Sequence, residues 1–264
     1  MKQEEVFQKG SKTYYNATKF FPKEKRKDIT IFYGFVRYVD DLVDAIPPKK
    51  KEFEAIKKEY TTNKPKHPIL KDFMNLEKKY GFEKKWIKAF FTSMGNDLKK
   101  KKYQTLEQTK KYIYGSAEVI GLCMAVILNL PEESQEYAKK LGAAMQLINM
   151  IRDIHEDNQL GRQYLPIKEM KEYGLESLTL KEEYKQLKKF ISFQIQRYLI
   201  WQEEAEKGFK FIPKKYRVPI KTASDMYKWT AKEIEKHPLL VFEKKIKPSK
   251  LQVILTGLKN IVIA

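Results

Sequence analysis

The sequence contains little cysteine, glycine or proline. One cysteine, Cys123, occurs in 264 residues, so no disulfide can form within the chain and a cysteine-rich zinc site is excluded. Glycine and proline number 11 each, and no Asn-Gly or Asp-Gly turn separates alternating β-branched runs. These absences exclude a disulfide scaffold and argue against a fold rich in β-sheet.

Long apolar runs are also lacking. The longest, over residues 119–130, falls short of the roughly 20 residues that a membrane-spanning helix needs. No apolar core of a secretory signal follows the charged N-terminus. We therefore expect a cytoplasmic protein. For the apolar segment 251–264 we prefer a packed final helix, with a peripheral position on a bilayer as the alternative.

Acidic residues are too few to balance the basic ones: the chain has 53 Lys and Arg but 34 Asp and Glu, which gives a net charge of +19. Lysine supplies 47 of these cations, arginine six, and aspartate only nine of the acids. Lysine and glutamate are typical of solvated helix faces. The lysine runs at 49–51 and 99–102 lack arginine and interleaved aromatic residues, so we expect no nucleic-acid partner. The scarce arginines and aspartates carry more functional information.

Apolar residues recur at helical spacing along most of the chain. This pattern predicts a first long helix from Pro22 to the break at Pro47-Pro48, and helical stretches near 66–79, 83–102, 105–130, 132–158, 181–209, 217–236 and 249–262. Proline and glycine interrupt these stretches, but no long flexible linker does. We predict an all-α protein with one domain over residues 1–264.

Two of the predicted helices carry polar residues along one face, with apolar residues on both sides. The first stripe, spaced i, i+4, i+7 or i+8 and i+11, consists of Tyr33, Arg37, Asp40 or Asp41, and Asp44. The second consists of Gln146, Asn149, Asp153 and Asp157. Two Asp pairs at i,i+4 spacing exceed what random placement of nine aspartates predicts. Three of the six arginines, Arg37, Arg152 and Arg162, lie within or just beyond these segments.

This combination is typical of a diphosphate site. Carboxylates one helical turn apart can hold Mg²⁺, a hard cation that prefers oxygen ligands and accepts substrate phosphates as partners. Guanidinium groups donate in bidentate fashion to phosphate. Two such helices facing each other would neutralise a departing diphosphate, and apolar walls would house the rest of the substrate. The alternative is a pair of structural salt-bridge helices. A di-iron site is disfavoured because no Glu-x-x-His pair occurs.

In these motifs the sequence resembles the squalene/phytoene synthase family, the head-to-head prenyl transferases. The resemblance covers most of the chain and is most specific in the two aspartate signatures, at 33–44 and 146–166, the second ending in Arg162-Gln-Tyr164-Leu-Pro166. Further similar segments are 10–15, Phe21-Pro22, 112–121, Tyr227 and 241–245. A histidine that the family often has at position 10 is replaced by glycine.

The resemblance implies an isoprenoid synthase fold, a helical bundle around a central cavity, and a magnesium-dependent prenyltransferase. In the family reaction one prenyl diphosphate ionises, its allylic cation is attacked by the double bond of a second, and the cyclopropyl diphosphate formed ionises and rearranges. We expect two geranylgeranyl diphosphates as substrates and phytoene as product, because Thr18 and Thr30 would leave room for long chains. The alternatives are squalene, dehydrosqualene and presqualene diphosphate, made from farnesyl diphosphate. NADPH is expected only if the product is squalene.

The resemblance also assigns roles to residues. The implied Mg²⁺ ligands are Asp40, Asp44, Asn149, Asp153 and Asp157. The implied catalytic residues are Tyr112, Tyr164, Arg37 and Asp41, the tyrosines lining the reacting centre. The implied substrate-binding residues are Ser11, Lys12, Thr13, Tyr33, Arg37, Gln146, Arg152, Arg162, Tyr227 and Lys244.

Two other classes of function remain open at this stage. A relative without catalytic activity could bind lipid or act as a scaffold, although a scaffold need not keep both aspartate signatures. A basic nucleic-acid binder would show a steep salt dependence. Prenyl diphosphates are the expected partners, and a peripheral membrane surface is a second one.

Overall fold

A computed structural model describes residues 12–263, with side chains from residue 15 onward. Helices make up about three quarters of this part of the chain. The α-helices are α1 (Lys12–Thr18), α2 (Lys23–Asp44), α3 (Lys50–Thr61), α4 (Pro68–Tyr80), α5 (Lys84–Asp97), α6 (Leu106–Ile113), α7 (Val119–Ile127), α8 (Gln135–Arg152), α9 (Ile154–Gln159), α10 (Ile167–Glu172), α11 (Tyr184–Glu206), α12 (Lys214–Lys236) and α13 (Lys250–Ile263).

Short segments of other helix types join these elements. A π-helical segment, Tyr114–Glu118, connects α6 to α7, and 3₁₀ turns lie at Glu132–Ser134, Lys207–Phe211 and Pro238–Phe242. In residues 12–263 the β-structure is one isolated bridge between Lys102 and Gln163. The predicted all-α class is confirmed. None of the helices described is long and apolar enough to cross a membrane.

The observed helix bounds differ from the predicted ones in several places. Helices α1 and α10 have no predicted counterpart, and α5 ends at Asp97 rather than at 102. Helix α3 was absent from the predicted set because lysine and glutamate surround its few apolar residues, yet it buries Phe53, Ile56 and Tyr60. The stretch predicted as 105–130 contains the π-helical segment. The stretch predicted as 132–158 breaks at Asp153, whose φ of −97° and ψ of 14° lie outside the α-helical range.

Helices α2 and α8 each bury an apolar face and turn a polar stripe to the interior cavities. On α2, Ile29, Phe35 and Val39 are almost completely buried. Helix α8 packs against α7, α11 and α12, and its Leu147 and Ile148 are equally buried. Because most of each helix surface is covered, the polar stripes lie inside the bundle rather than on its exterior.

Two glycines allow α7 and α8 to approach closely. A Cβ on Gly121 would lie 2.2 Å from the carbonyl oxygen of Ala138 on α8. A Cβ on Gly142 would lie 2.4 Å from the carbonyl oxygen of Ala117, in the π-helical segment. Both distances are far below van der Waals contact with rigid backbone, so only glycine fits at these positions.

We predict that Gly142→Ala destabilises the protein, although alanine is normally the better helix former. The added methyl group must push two backbones apart, which costs about 1–3 kcal/mol. Gly95→Ala, inside α5, is the matched control, because its Cβ would make an ordinary 3.5 Å contact with Phe53. Urea unfolding of both variants measures the difference; a Gly142→Ala variant as stable as Gly95→Ala would show that the helix contact is not tight.

Candidate active site

A polar cavity of about 340 Å³ lies between α2 on one side and α8 and α9 on the other. Its carboxylates are Asp40, Asp44, Asp97, Asp153, Glu156 and Asp157. Its cations are Arg37, Arg152, Arg162, Lys245 and Lys247. Three of the six arginines and five of the nine aspartates of the chain therefore line a single cavity.

Helix α2 contributes Arg37 and its acidic neighbours. Arg37 Nη1 donates to Asp40 Oδ2 at 2.7 Å, and Nη2 lies 2.5 Å from Asp41 Oδ1. Asp40 and Asp44 line the cavity, whereas the Asp41 side chain is 47% exposed and lies outside it. Successive helical residues point about 100° apart, so the helix that brings Asp40 to the cavity turns Asp41 away. The expected catalytic position of Asp41 is not supported.

Arg162 contacts the same wall from the loop after α9. Its guanidinium is buried and donates to Asp44 Oδ1 at 2.5 Å and to the carbonyl oxygen of Val43 at 2.6 Å. Burial disfavours the charged guanidinium, but Tyr164, Asp97 and Asp44 outweigh burial and raise the pKa of Arg162. Arg162 therefore fixes the carboxylate of Asp44 in place.

The opposite wall is built where α8 ends and α9 begins. Arg152 Nε and Nη2 donate to the two carboxylate oxygens of Asp153 at 2.6 and 2.7 Å. Lys245 Nζ lies 3.1 Å from Asp153 Oδ2 and also pairs with Glu156. Burial opposes ionisation of Asp153, but Arg152 and Lys245 outweigh it and lower the pKa of that carboxyl group.

Two other carboxyl groups of the cavity are poorly compensated. Burial, with the nearby Asp44 carboxylate, raises the pKa of Asp40 to about 7 despite Arg37. Burial, with the carboxylates of Asp153 and Asp44, raises the pKa of Asp157 to about 8. Carboxylates held this close to one another are stabilised by a bound cation.

The donor set fits Mg²⁺. The side-chain oxygen of Asn149, Oδ1, is buried without a hydrogen-bond partner, and it lines the polar cavity together with the carboxylates of both helices. Within residues 12–263, no three His, Cys, Asp or Glu side chains are grouped closely enough to hold an ion by themselves. This arrangement suits an ion that takes one or two carboxylates and completes its shell with water and phosphate oxygens.

Two tyrosines and one aspartate form a buried cluster in the same cavity. The hydroxyl groups of Tyr112 and Tyr164 donate to the two oxygens of Asp97 at 2.8 and 2.7 Å, and their ring centroids lie 4.8 Å apart. Burial raises the pKa of Asp97 to about 6, against the lowering effects of Arg162 and the two phenols. Asp97 therefore orients both phenol groups.

An apolar cavity of about 230 Å³ adjoins the polar one. Six residues line both cavities: Tyr33, Val36, Ser116, Gln146, Asn149 and Tyr227. The apolar wall is rich in small residues, namely Ala17, Thr18, Ser116, Ala117, Gly121, Ala125, Ser134, Ala138, Gly142, Ala205, Gly208 and Ala223. Thr18 thus lies where it was expected. Thr30 does not line the cavity. Its hydroxyl donates to the carbonyl oxygen of Arg26 on the same helix.

Most of the residues singled out from the sequence meet in this site. The polar cavity contains Tyr33, Arg37, Asp40, Asp44, Tyr112, Gln146, Asn149, Arg152, Asp153, Asp157, Arg162, Tyr164 and Tyr227. Ser11 lies outside the described residues, as do the side chains of Lys12 and Thr13. The sequence analysis missed Asp97, whose one signal was the scarcity of aspartate in the chain.

Lys244 does not lie in the polar cavity. Its side chain is exposed and does not line the cavity, whereas Lys245 and Lys247 do. The 3₁₀ turn ends at Phe242, and residues 245–249 have no regular secondary structure. In this segment Lys245 and Lys247 line the cavity, and Ile246 between them is buried.

Solved structures share this fold. A crystal structure of a dehydrosqualene synthase in complex with ligand superimposes with a TM-score of 0.87 at 25% identity, covering 99% of this chain and 94% of that one. The squalene synthase HpnC of Alicyclobacillus acidocaldarius superimposes with a TM-score of 0.73 at 18% identity, covering 89% and 92%. The all-α isoprenoid synthase fold, with a single domain, is thereby confirmed.

Sequence comparison identifies the family. The squalene/phytoene synthase family pattern matches residues 7–252, so this chain belongs to that family. The chloroplastic phytoene synthase of an Oncidium hybrid cultivar is 27% identical over 261 residues, which are 93% of this chain and 63% of the relative. Phytoene synthase 1 of Arabidopsis thaliana is 27% identical over 256 residues, with 91% and 61% covered. The chain therefore spans a little under two thirds of these relatives.

The neighbours Lys244 and Lys245 give a matched pair of variants. We predict that Lys245→Gln weakens binding of inorganic pyrophosphate with Mg²⁺ about tenfold or more, the size of one lost charge-assisted hydrogen bond. The substitution also leaves the Glu156 carboxylate without its cation, which adds uncompensated negative charge beside the anion. Lys244→Gln should change the affinity less than about twofold, because an exposed charge is screened. Isothermal titration calorimetry measures both; equal effects would contradict this placement of the two lysines.

Proposed function

We propose that this chain condenses two prenyl diphosphates head to head through a cyclopropyl diphosphate intermediate. The main support is the shared wall between the polar and apolar cavities, formed by Tyr33, Val36, Ser116, Gln146, Asn149 and Tyr227. A diphosphate group fits the cationic side of this wall, and a prenyl chain fits the other. The bond between the prenyl chain and its diphosphate would then break at the boundary of the two cavities, away from bulk water.

The cations of the polar cavity bind and neutralise diphosphate in this proposal. Arg37 and Arg152 carry planar guanidinium groups that suit phosphate oxygens, and Lys245 adds a third charge. The Mg²⁺ ligands are Asp40, Asp44, Asn149, Asp153 and Asp157. When bound, Mg²⁺ supplies positive charge that stabilises a departing diphosphate.

The tyrosine cluster steadies the carbocation that forms when the diphosphate leaves. Asp97 accepts a hydrogen bond from each phenol, which fixes Tyr112 and Tyr164 at the wall of the polar cavity. An aromatic face attracts a cation by about 0.5–2 kcal/mol. Tyr33, Gln146 and Tyr227 hold the substrate at the boundary, and Ser11, Lys12 and Thr13 remain sequence-based candidates for diphosphate contacts.

Phytoene, made from two geranylgeranyl diphosphates, is the proposed product. It is supported by the phytoene synthases among the relatives and by the small residues along the apolar cavity, which leave room for a long chain. Dehydrosqualene, made from farnesyl diphosphate, is the second candidate. It is supported by the similarity to the dehydrosqualene synthase structure. Squalene would require NADPH as well.

The aspartates of α2 and α8 give the first test. We predict that Asp40→Ala and Asp153→Ala each lower turnover of prenyl diphosphate with Mg²⁺ by about 100-fold or more, as expected when a preorganised charge contact is lost. Asp41→Ala is the control from the neighbouring position, and its turnover should fall much less. Product formation is followed by mass spectrometry. Full activity of Asp40→Ala and Asp153→Ala would exclude the proposed role and favour a non-catalytic lipid-binding relative.

Chain length gives the second test. With farnesyl and geranylgeranyl diphosphate supplied separately, with and without NADPH, we expect phytoene from the longer substrate. Thr18→Phe fills part of the apolar cavity and should shift the ratio of kcat/KM toward farnesyl diphosphate by about tenfold, the discrimination that a few methylene groups provide. Thr92→Phe, at an exposed position on α5, is the control. An unchanged ratio in Thr18→Phe would place the chains elsewhere.

A further inference from the structure

Exposed apolar side chains concentrate on the last helix. Of the eleven large apolar residues that are exposed in the described part of the chain, seven lie on α13: Leu251, Ile254, Leu255, Leu258, Ile261, Val262 and Ile263. The other four, Ile46, Leu180, Tyr184 and Ile200, are spread over the remaining sequence. Single exposed apolar residues are normal, but a cluster of this kind marks an interaction surface.

Contacts on the opposite side of α13 fix the direction in which this cluster faces. Val253, Gly257 and Asn260 are buried, and a Cβ on Gly257 would lie 2.2 Å from the ring of Phe20. Asn260 Nδ2 donates to Asp225 Oδ2 at 2.9 Å, and that residue lies on α12. Helix α13 is therefore held against α1 and α12, with its other face outward.

Both charged residues of α13, Lys250 and Lys259, are basic. No Asp or Glu follows Glu243 in the sequence. At about 100° per residue, six of the seven apolar residues occupy an arc of about 120°, and Lys250 and Lys259 stand on its two borders. Lysine side chains at the borders of an apolar face can keep their ammonium groups at headgroup level while the face inserts.

We propose that the exposed face of α13 binds the interface of an anionic lipid bilayer. An apolar arc bordered by lysines complements a surface that is negative outside and apolar within. A second copy of the chain is a poorer partner, since pairing this face with itself would bring lysine borders and two highly basic molecules together. The helix lies on the bilayer rather than across it, because it is too short to span.

The position of α13 places the bound bilayer close to the apolar cavity. The helix packs on α1 and α12, which contribute Ala17, Thr18, Pro219, Ile220 and Ala223 to the apolar cavity. A bilayer bound to α13 therefore lies next to the helices that enclose that cavity. This arrangement would shorten the path of a water-insoluble ligand between cavity and lipid.

Vesicle flotation with the full chain tests the proposal. We expect binding to vesicles of phosphatidylcholine mixed with phosphatidylglycerol and at least tenfold less to phosphatidylcholine alone. The double variant Leu255→Asp/Leu258→Asp should weaken binding to the anionic vesicles more than tenfold. Ile200→Asp, at an exposed position on α11, is the matched control and should bind within twofold of the unsubstituted protein. Thermal unfolding followed by circular dichroism verifies that all variants fold.

A second pair of variants separates local from overall charge. Lys250→Gln/Lys259→Gln should weaken binding to anionic vesicles about 25-fold, because each of the two lysines at the surface contributes about fivefold. Lys51→Gln/Lys58→Gln removes the same charge from the exposed surface of α3 and should have a much smaller effect. Equal losses from both pairs, unaltered binding by Leu255→Asp/Leu258→Asp, or a dimer in sedimentation that this variant dissolves would overturn the proposal.

Discussion

The ion pair between Arg162 and Asp44 joins two parts of the site that lie 118 residues apart in the sequence. After α9 the chain turns at Gly161, whose φ of +67° favours glycine, and this turn directs Arg162 back to the end of α2. The Arg162 side chain is 3% exposed and that of Asp44 33%, so loss of Asp44 would remove a carboxylate that compensates a buried guanidinium. The orientation of α2 relative to α9 therefore depends on this contact.

The same loop also positions the aromatic part of the site. The backbone N–H of Gln163 donates to the Lys101 carbonyl at 2.7 Å, and that of Ile167 donates to the Tyr103 carbonyl at 3.0 Å. Thr109 Oγ1 donates to the carbonyl oxygen of Tyr164 at 2.7 Å. Tyr164 is thus held on both sides by backbone contacts, so that its hydroxyl meets Asp97 together with Tyr112. One short segment thereby fixes both Asp44, through Arg162, and the tyrosine cluster, through Tyr164.

How far the sequence predicts this site depends on the kind of spacing involved. Asp40 and Asp44 are one helical turn apart on α2, so their common face follows from helix geometry alone. Asp153 and Asp157 also line one cavity, although the helix breaks at Asp153. Asp97 has no acidic partner on its own helix, and only the tertiary fold brings it to Tyr112 and Tyr164. Lys244 and Lys245 are chemically identical, and the local turn decides which of them faces inward. The sequence pattern did not predict helix α3 because its apolar residues are few.

The electrostatics of the cavity oppose the stability of the fold. Asp40 and Asp157, with pKa values of about 7 and 8, keep their protons in the folded chain at a pH where an unfolded aspartate, with a pKa near 3.9, has lost them. The folded state then binds more protons than the unfolded one, so these groups destabilise the fold as pH rises from about 4 to 8. A bound cation offsets this cost by favouring the ionised carboxylates. The crowding of carboxyl groups that weakens the fold without a cation is therefore the same feature that favours cation binding in this cavity.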